Sequence, residues 1–188
     1  MTECGPARRA FAGVFRACVA VAAFVLAGCA TPTPAPSAPI GGDSFSGRLA
    51  LRVEALGSTP SRSFSSSFDL RGDAGTGSLA LSTPLGSMLA QARWQPGSVA
   101  LVTPQGTRGF ADLDGLTRDV LGESVPVEAW FDWLHGRPWP GAPSSPAGAG
   151  FEQLGWTVDL ARLPAGAVAA TRRQPPPVVT VRIQLDGA

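Results

Sequence analysis

The chain has 188 residues, three Cys, one His and a formal charge of +1. Near-neutral charge excludes the strong positive field used for nucleic-acid binding. A single His leaves one position for any Ser-His-Asp or Cys-His arrangement, which argues against a hydrolase.

The first segment has three parts. Arg8, Arg9 and Arg16 give a positive start, Ala17 to Ala27 is an uncharged apolar run, and Leu26-Ala27-Gly28-Cys29 closes it. This is the layout of a secretory signal. A membrane-spanning helix needs about 20 apolar residues, and this run is roughly half that. Leu-Ala-Gly-Cys resembles the bacterial lipobox, in which the Cys thiol receives a diacylglyceryl group and the chain is cut just before it. Residues 1–28 are therefore expected to be removed. Cys29 becomes the first mature residue, carrying N-acyl and S-diacylglycerol lipid. The alternative is an ordinary signal peptide with a chance Cys.

Cys4 and Cys18 fall in the removed segment, so the mature chain has one thiol and lipidation uses it. No internal disulfide and no Cys/His metal site are expected, and no cofactor beyond the covalent lipid. Residues 29–43 follow as a tether rich in Pro and small side chains, too poor in apolar bulk to build a core. Ala30, where enterobacterial sorting rules place Asp for inner-membrane retention, points by resemblance to the outer membrane.

Residues 44–188 form the folded domain. Phe45, Gly47, Leu49, Leu51 and Val53 alternate with polar or small residues, which predicts a strand with one apolar face. Phe64 to Leu70, Ser78 to Leu81, Met88 to Trp94 and Val99 to Thr103 extend this into an antiparallel meander. Its turns are Thr83-Pro84-Leu85-Gly86-Ser87, Gln95-Pro96-Gly97 and Pro104-Gln105-Gly106. Asp112 is placed to cap a short helix carrying Leu113, Leu116, Val120 and Leu121, with Gly122 ending it. Pro126 suits the first turn of a second helix, whose Val127, Trp130, Phe131 and Leu134 share one face. Trp139 to Gly150 reads as a loop. Strands return at Phe151 to Leu160, Val168 to Arg172 and Val178 to Asp186, with Pro175-Pro176-Pro177 as a stiff turn. The fold class is mainly β with α. A single antiparallel sheet must curl to cover its apolar face, and short helices close the opening into an apolar container.

Six segments in order then resemble the LolB family of outer-membrane lipoprotein receptors. They are Gly47-Arg48-Leu49-Ala50-Leu51-Arg52, Phe64-Ser65-Ser66-Ser67-Phe68, Ser82-Thr83-Pro84-Leu85-Gly86-Ser87, Leu121-Gly122-Glu123-Ser124-Val125-Pro126-Val127, Trp133-Leu134-His135-Gly136-Arg137-Pro138 and Gly150-Phe151-Glu152-Gln153-Leu154-Gly155-Trp156. The resemblance covers about Phe45 to Gly187. It implies a half-open barrel lidded by helices around an apolar cavity. It also implies a non-enzymatic role: accepting acylated lipoproteins from the soluble carrier LolA and inserting them into the outer membrane. One departure is the end of the chain, where Ala188 stands in place of the family's Trp.

The resemblance places a membrane-inserting loop at Pro84, Leu85 and Gly86. The residues alone favour an ordinary hairpin with Leu85 folded inward. Candidates for the cavity lining are Leu49, Leu51, Phe68, Leu79, Trp94, Trp130, Phe131 and Leu134. Trp94 and Trp156 also read as core anchors, and Met88 and Leu89 as cavity mouth or core. Trp133 and Arg137 are expected to form a corner with guanidinium on indole, and His135 to be exposed and inert. The expected partners are a LolA-like carrier, lipoprotein cargo and outer-membrane lipids, with the protein a monomer. The competing reading is a lipid-anchored structural or assembly protein with this fold and no transfer activity.

Overall fold

A computed structural model of the chain describes residues 41–187. The signal segment, Cys29 and most of the tether lie outside the described residues, as does Ala188. Eleven strands form one antiparallel sheet: β1 (Asp43–Val53), β2 (Arg62–Gly72), β3 (Gly77–Ser82), β4 (Met88–Gln95), β5 (Ser98–Thr103), β6 (Gly106–Phe110), β7 (Ser144–Ala147), β8 (Gly150–Gln153), β9 (Trp156–Asp159), β10 (Ala167–Arg172) and β11 (Val179–Leu185). Two helices, α1 (Leu113–Leu121) and α2 (Trp130–Leu134), lie between β6 and β7, with a 3-10 turn at Val127–Ala129 leading into α2.

The strand order is β6-β5-β4-β3-β2-β1-β11-β10-β9-β8-β7. The first strand therefore sits at the centre, paired with the last through Gly47–Leu185 to Val53–Val179. The two edge strands, β6 and β7, are the ones joined by the helical segment. One stretch of chain thus links both edges of the sheet.

Alternation decides which face is dry. Along β1, Leu49, Leu51 and Val53 are buried while Arg48, Ala50 and Arg52 are exposed. Strand β11 repeats this, with Val179, Val181 and Ile183 buried. Leu70, Val125, Val158, Val179 and Val181 are wholly out of water, and each such side chain is worth about 1.5–3 kcal/mol. Gly47 is required where β1 crosses β11 closely. A Cβ there would lie 2.0 Å from the Gln184 carbonyl oxygen.

Consecutive antiparallel strands put their turns alternately at two ends. The near end holds the start of β1. The far end holds the β1–β2, β3–β4, β5–β6, β8–β9 and β10–β11 turns. Helix α1 starts after β6 at the near end, where the Asp112 side chain accepts from the Gly115 N–H. It finishes at Gly122, φ +74°, close to the Arg62 guanidinium at the far end. Helix α2 returns, and His135 after it meets Asp43 at the near end at 2.9 Å.

Three sequence expectations change. The loop expected from Trp139 to Gly150 contains edge strand β7. The single strand expected over Phe151 to Leu160 is a hairpin, broken where Leu154 and Gly155 take φ of +53° and +77°. Gly106 opens a further strand, β6, after the turn read there.

Candidate functional site

The dry face of the sheet and the helices form one apolar interior. Leu49, Leu51, Phe68, Leu79, Trp94, Trp130, Phe131 and Leu134 are all buried in it. The ring of Trp94 stands edge-on to Phe131 at 6.2 Å between centroids. Across the 3-10 turn and α2 the expected face of Val127, Trp130, Phe131 and Leu134 is buried, and so are Ala129 and Trp133. The helix is enclosed on more than one side because it fills the mouth of a curled sheet and does not lie on a flat one.

The interior holds a small void. A void of about 10 Å³ lies between Trp130, Trp133, Leu134, Val168, Ala170, Val181 and Ile183, about enough for a single water. Aromatic side chains of the helical segment occupy the volume that the sheet encloses. A far larger groove, about 850 Å³, runs over the opposite, polar face. Its floor includes Ala50, Ser65 and Ser67, with Arg48, Arg182 and Pro84 at its margins.

Two polar latches hold the helical segment to the sheet. The Arg172 Nη2 donates to Glu123 Oε2 at 2.5 Å and its Nη1 to the Ser124 carbonyl at 3.3 Å. The Arg172 guanidinium also lies 5.7 Å from the Trp156 ring centroid. Gln153 makes the second latch. Its Oε1 accepts from Trp133 Nε1 at 2.8 Å and from the Trp139 N–H at 2.9 Å. Its Nε2 donates to the carbonyls of Trp139 and Ala142. All four hydrogen-bonding positions of a buried amide are thereby used. The sequence offered these residues only as parts of longer segments.

The expected corner of Trp133 and Arg137 is corrected. Arg137 pairs with Asp132 at 2.6 Å, Trp133 turns to Gln153 and Phe151, and the guanidinium on indole is Arg172 over Trp156. His135 is exposed as expected, but it is not idle. It bonds Asp43 and stands edge-on to Phe45 at 5.0 Å. Glu128 is half-buried on the 3-10 turn, with Oε2 lacking a partner. Burial foremost, then the nearby charges of Asp114 and Asp112, raise its pKa, against the opposing pull of its backbone hydrogen bond.

The β3–β4 turn is built from its own atoms. The Gly86 N–H donates to the Thr83 carbonyl at 2.9 Å, and the Thr83 N–H to the Ser87 carbonyl at 2.9 Å. The Ser87 N–H donates to Thr83 Oγ1 at 3.1 Å. Pro84 holds the second position and Gly86 takes φ +85°, a sign that favours Gly. The third position, Leu85, is 95% exposed. It does not fold inward. Met88 and Leu89 at the start of β4 are exposed too, so neither is core.

Comparison with known proteins decides the family. Residues 44–184 match the family described as "Outer membrane lipoprotein LolB". The chain belongs to the LolB family. A relative from Bordetella bronchiseptica, called "Outer-membrane lipoprotein LolB", is 35% identical over 97% of this chain and 98% of its own length. Relatives of the same name from Bordetella pertussis and Thiobacillus denitrificans are 36% and 34% identical, over 85% and 84% of this chain and 85% and 87% of theirs. The curled antiparallel sheet closed by two short helices is this chain's form of the LolB fold. Among the described residues, no cluster of side chains could hold a metal ion, and no helix is long and apolar enough to cross a membrane.

Proposed function

We propose that this LolB-family domain is an outer-membrane lipoprotein receptor. It accepts acylated lipoproteins from a LolA-like periplasmic carrier and inserts them into the outer membrane. The observation that supports it most is an interior lined mainly by apolar side chains and closed by a helical segment whose buried middle is aromatic. Exposing an acyl chain to water costs about 0.8 kcal/mol per CH2, so cargo must pass from one apolar shelter to another. No covalent bond changes and no catalytic residue is needed. A preference of about 1.4 kcal/mol over the carrier biases transfer tenfold.

The interior is filled in the form described, so acyl chains enter by displacing part of the helical segment. Trp130, Phe131 and Leu134 hold their places by apolar contact, whereas Arg172 and Gln153 pin the chain on either side of them. The middle of the segment then yields while its flanks stay attached. Pro84, Leu85 and Gly86 form the loop that engages the bilayer at release, and lipid on Cys29 keeps the domain at the membrane.

The test separates transfer from a structural role. The chain with Cys29 replaced, and so without an anchor, is mixed with purified carrier loaded with an acylated lipoprotein. The cargo is expected to move to the domain in solution. If none moves, the reading as an anchored structural protein takes its place.

A further inference from the structure

The described residues leave six large apolar side chains exposed: Leu56, Leu85, Met88, Leu89, Val120 and Leu154. Topology places all six at the far end. Leu56 is in the β1–β2 turn, Leu85 in the β3–β4 turn, Met88 and Leu89 open β4, and Leu154 is in the β8–β9 turn. Val120 is in the last turn of α1, beside Gly122 and Arg62.

Charge divides the same way. Arg52, Arg62 and Arg173 lie at or next to the far end and have no ion-pair partner among the described residues. Glu54 and Glu152 are the unpaired acids near them, while Glu123 and Asp119 are held by Arg172 and Arg108. The near end carries Asp43, Asp73, Asp112, Asp159 and Asp186, with Arg93 and Arg162 set against them and Arg71 and Arg137 paired to Asp69 and Asp132. An anionic surface therefore repels the near end and tolerates the far one.

We infer that the far end as a whole is a docking rim for an anionic phospholipid bilayer, in which Leu56 and Leu154 enter the interface together with Leu85. This rests on the bilayer role proposed for Leu85 and extends it to turns on the other half of the sheet. The occupant is a bilayer and not a protein because of the rim's form. Leu85, Met88 and Leu89 cluster at one turn, while Leu56, Val120 and Leu154 stand singly on other elements. Protein interfaces instead favour a packed, contiguous centre rich in aromatic residues, and none of the six is aromatic. A fluid interface admits separate tips, and basic side chains among them meet its phosphates. Several shallow contacts also fix orientation, which one inserted side chain cannot do.

The test uses the full chain isolated from membranes, carrying one of Leu56→Cys, Leu85→Cys, Leu154→Cys or, at the near end, Ser98→Cys. Each is labelled with an environment-sensitive fluorophore. The probe surface is vesicles of phosphatidylethanolamine and phosphatidylglycerol, with and without lipid-borne quencher. The expected result is a blue shift and quenching at positions 56, 85 and 154, and neither at 98. A response at 85 alone overturns the rim and leaves the Leu85 reading standing. A response at none of them overturns both. Equal responses at 98 and the other three overturn the oriented rim.

Discussion

Arg172 on β10 meets Glu123, just past the end of α1, at 2.5 Å, with only 9% and 15% of the two side chains exposed. Removing one member leaves the other charged and short of water. Glu123→Ala is expected to cost about 3 kcal/mol in urea unfolding. Replacing both, as Arg172→Met with Glu123→Leu, is expected to be much milder, since neither charge is then stranded. A double variant as unstable as the single one contradicts this account of the latch.

Gln153 holds the other side of the helical segment with four bonds. Gln153→Ala leaves Trp133 Nε1 and three backbone groups seeking partners, for a loss of about 3 kcal/mol. The loop through Trp139 and Ala142 should loosen with it. Acrylamide quenching of Trp fluorescence is expected to rise in this variant and to stay at its original level in Glu123→Ala under native conditions.

Leu85→Glu changes a side chain that touches almost nothing in the fold. Its melting temperature should match the original, with any stability change within about 0.5 kcal/mol. Acceptance of cargo from the carrier is expected to continue, while insertion of cargo into liposomes stops. Normal insertion by this variant removes Leu85 from the release step.

Glu128 supplies a pH test. Burial makes its carboxyl harder to ionise in the folded chain than in the unfolded one. Its contribution to stability is therefore greatest in acid, below the unfolded pKa, and is lost as pH rises through the raised folded value. Glu128→Gln should raise the melting temperature at neutral pH. The gain should shrink as the solution is taken below the ordinary Glu range. A gain that is constant with pH points to local packing and not to ionisation.

The centre of the sheet was legible and its edges were not. In β1 and β11, strict alternation of Leu, Val or Ile with Arg, Ala or Gln marks both faces, and the buried sets match it. Strand β7 reads Ser-Ser-Pro-Ala, with no β-branched residue and a Pro, which only an edge strand accommodates. The β8–β9 turn hid for another reason. Leu154 takes a positive φ that Leu rarely adopts, so no Asn or Asp announced the reversal. The site divided likewise. Apolar lining positions follow from periodicity, whereas the partners of Gln153 and Arg172 lie 11 to 49 residues away. Local pattern carries no record of such pairs. The outward aim of Leu85 depends on the bonds that Thr83 makes across its own turn.

Strand β1 begins at the end of the sheet opposite Leu85, and this sets a length requirement on the chain before it. Cys29 stands about 14 residues ahead of Asp43, and a fully extended chain covers at most about 3.3–3.6 Å per residue. The 11 residues of β1 span about 37 Å at about 3.4 Å each. On the lipidation proposed for Cys29, the lipid and the tip of Leu85 can share one leaflet only if that chain is at least as long as β1 is tall. A markedly shorter one would force the protein to choose between staying moored and touching down.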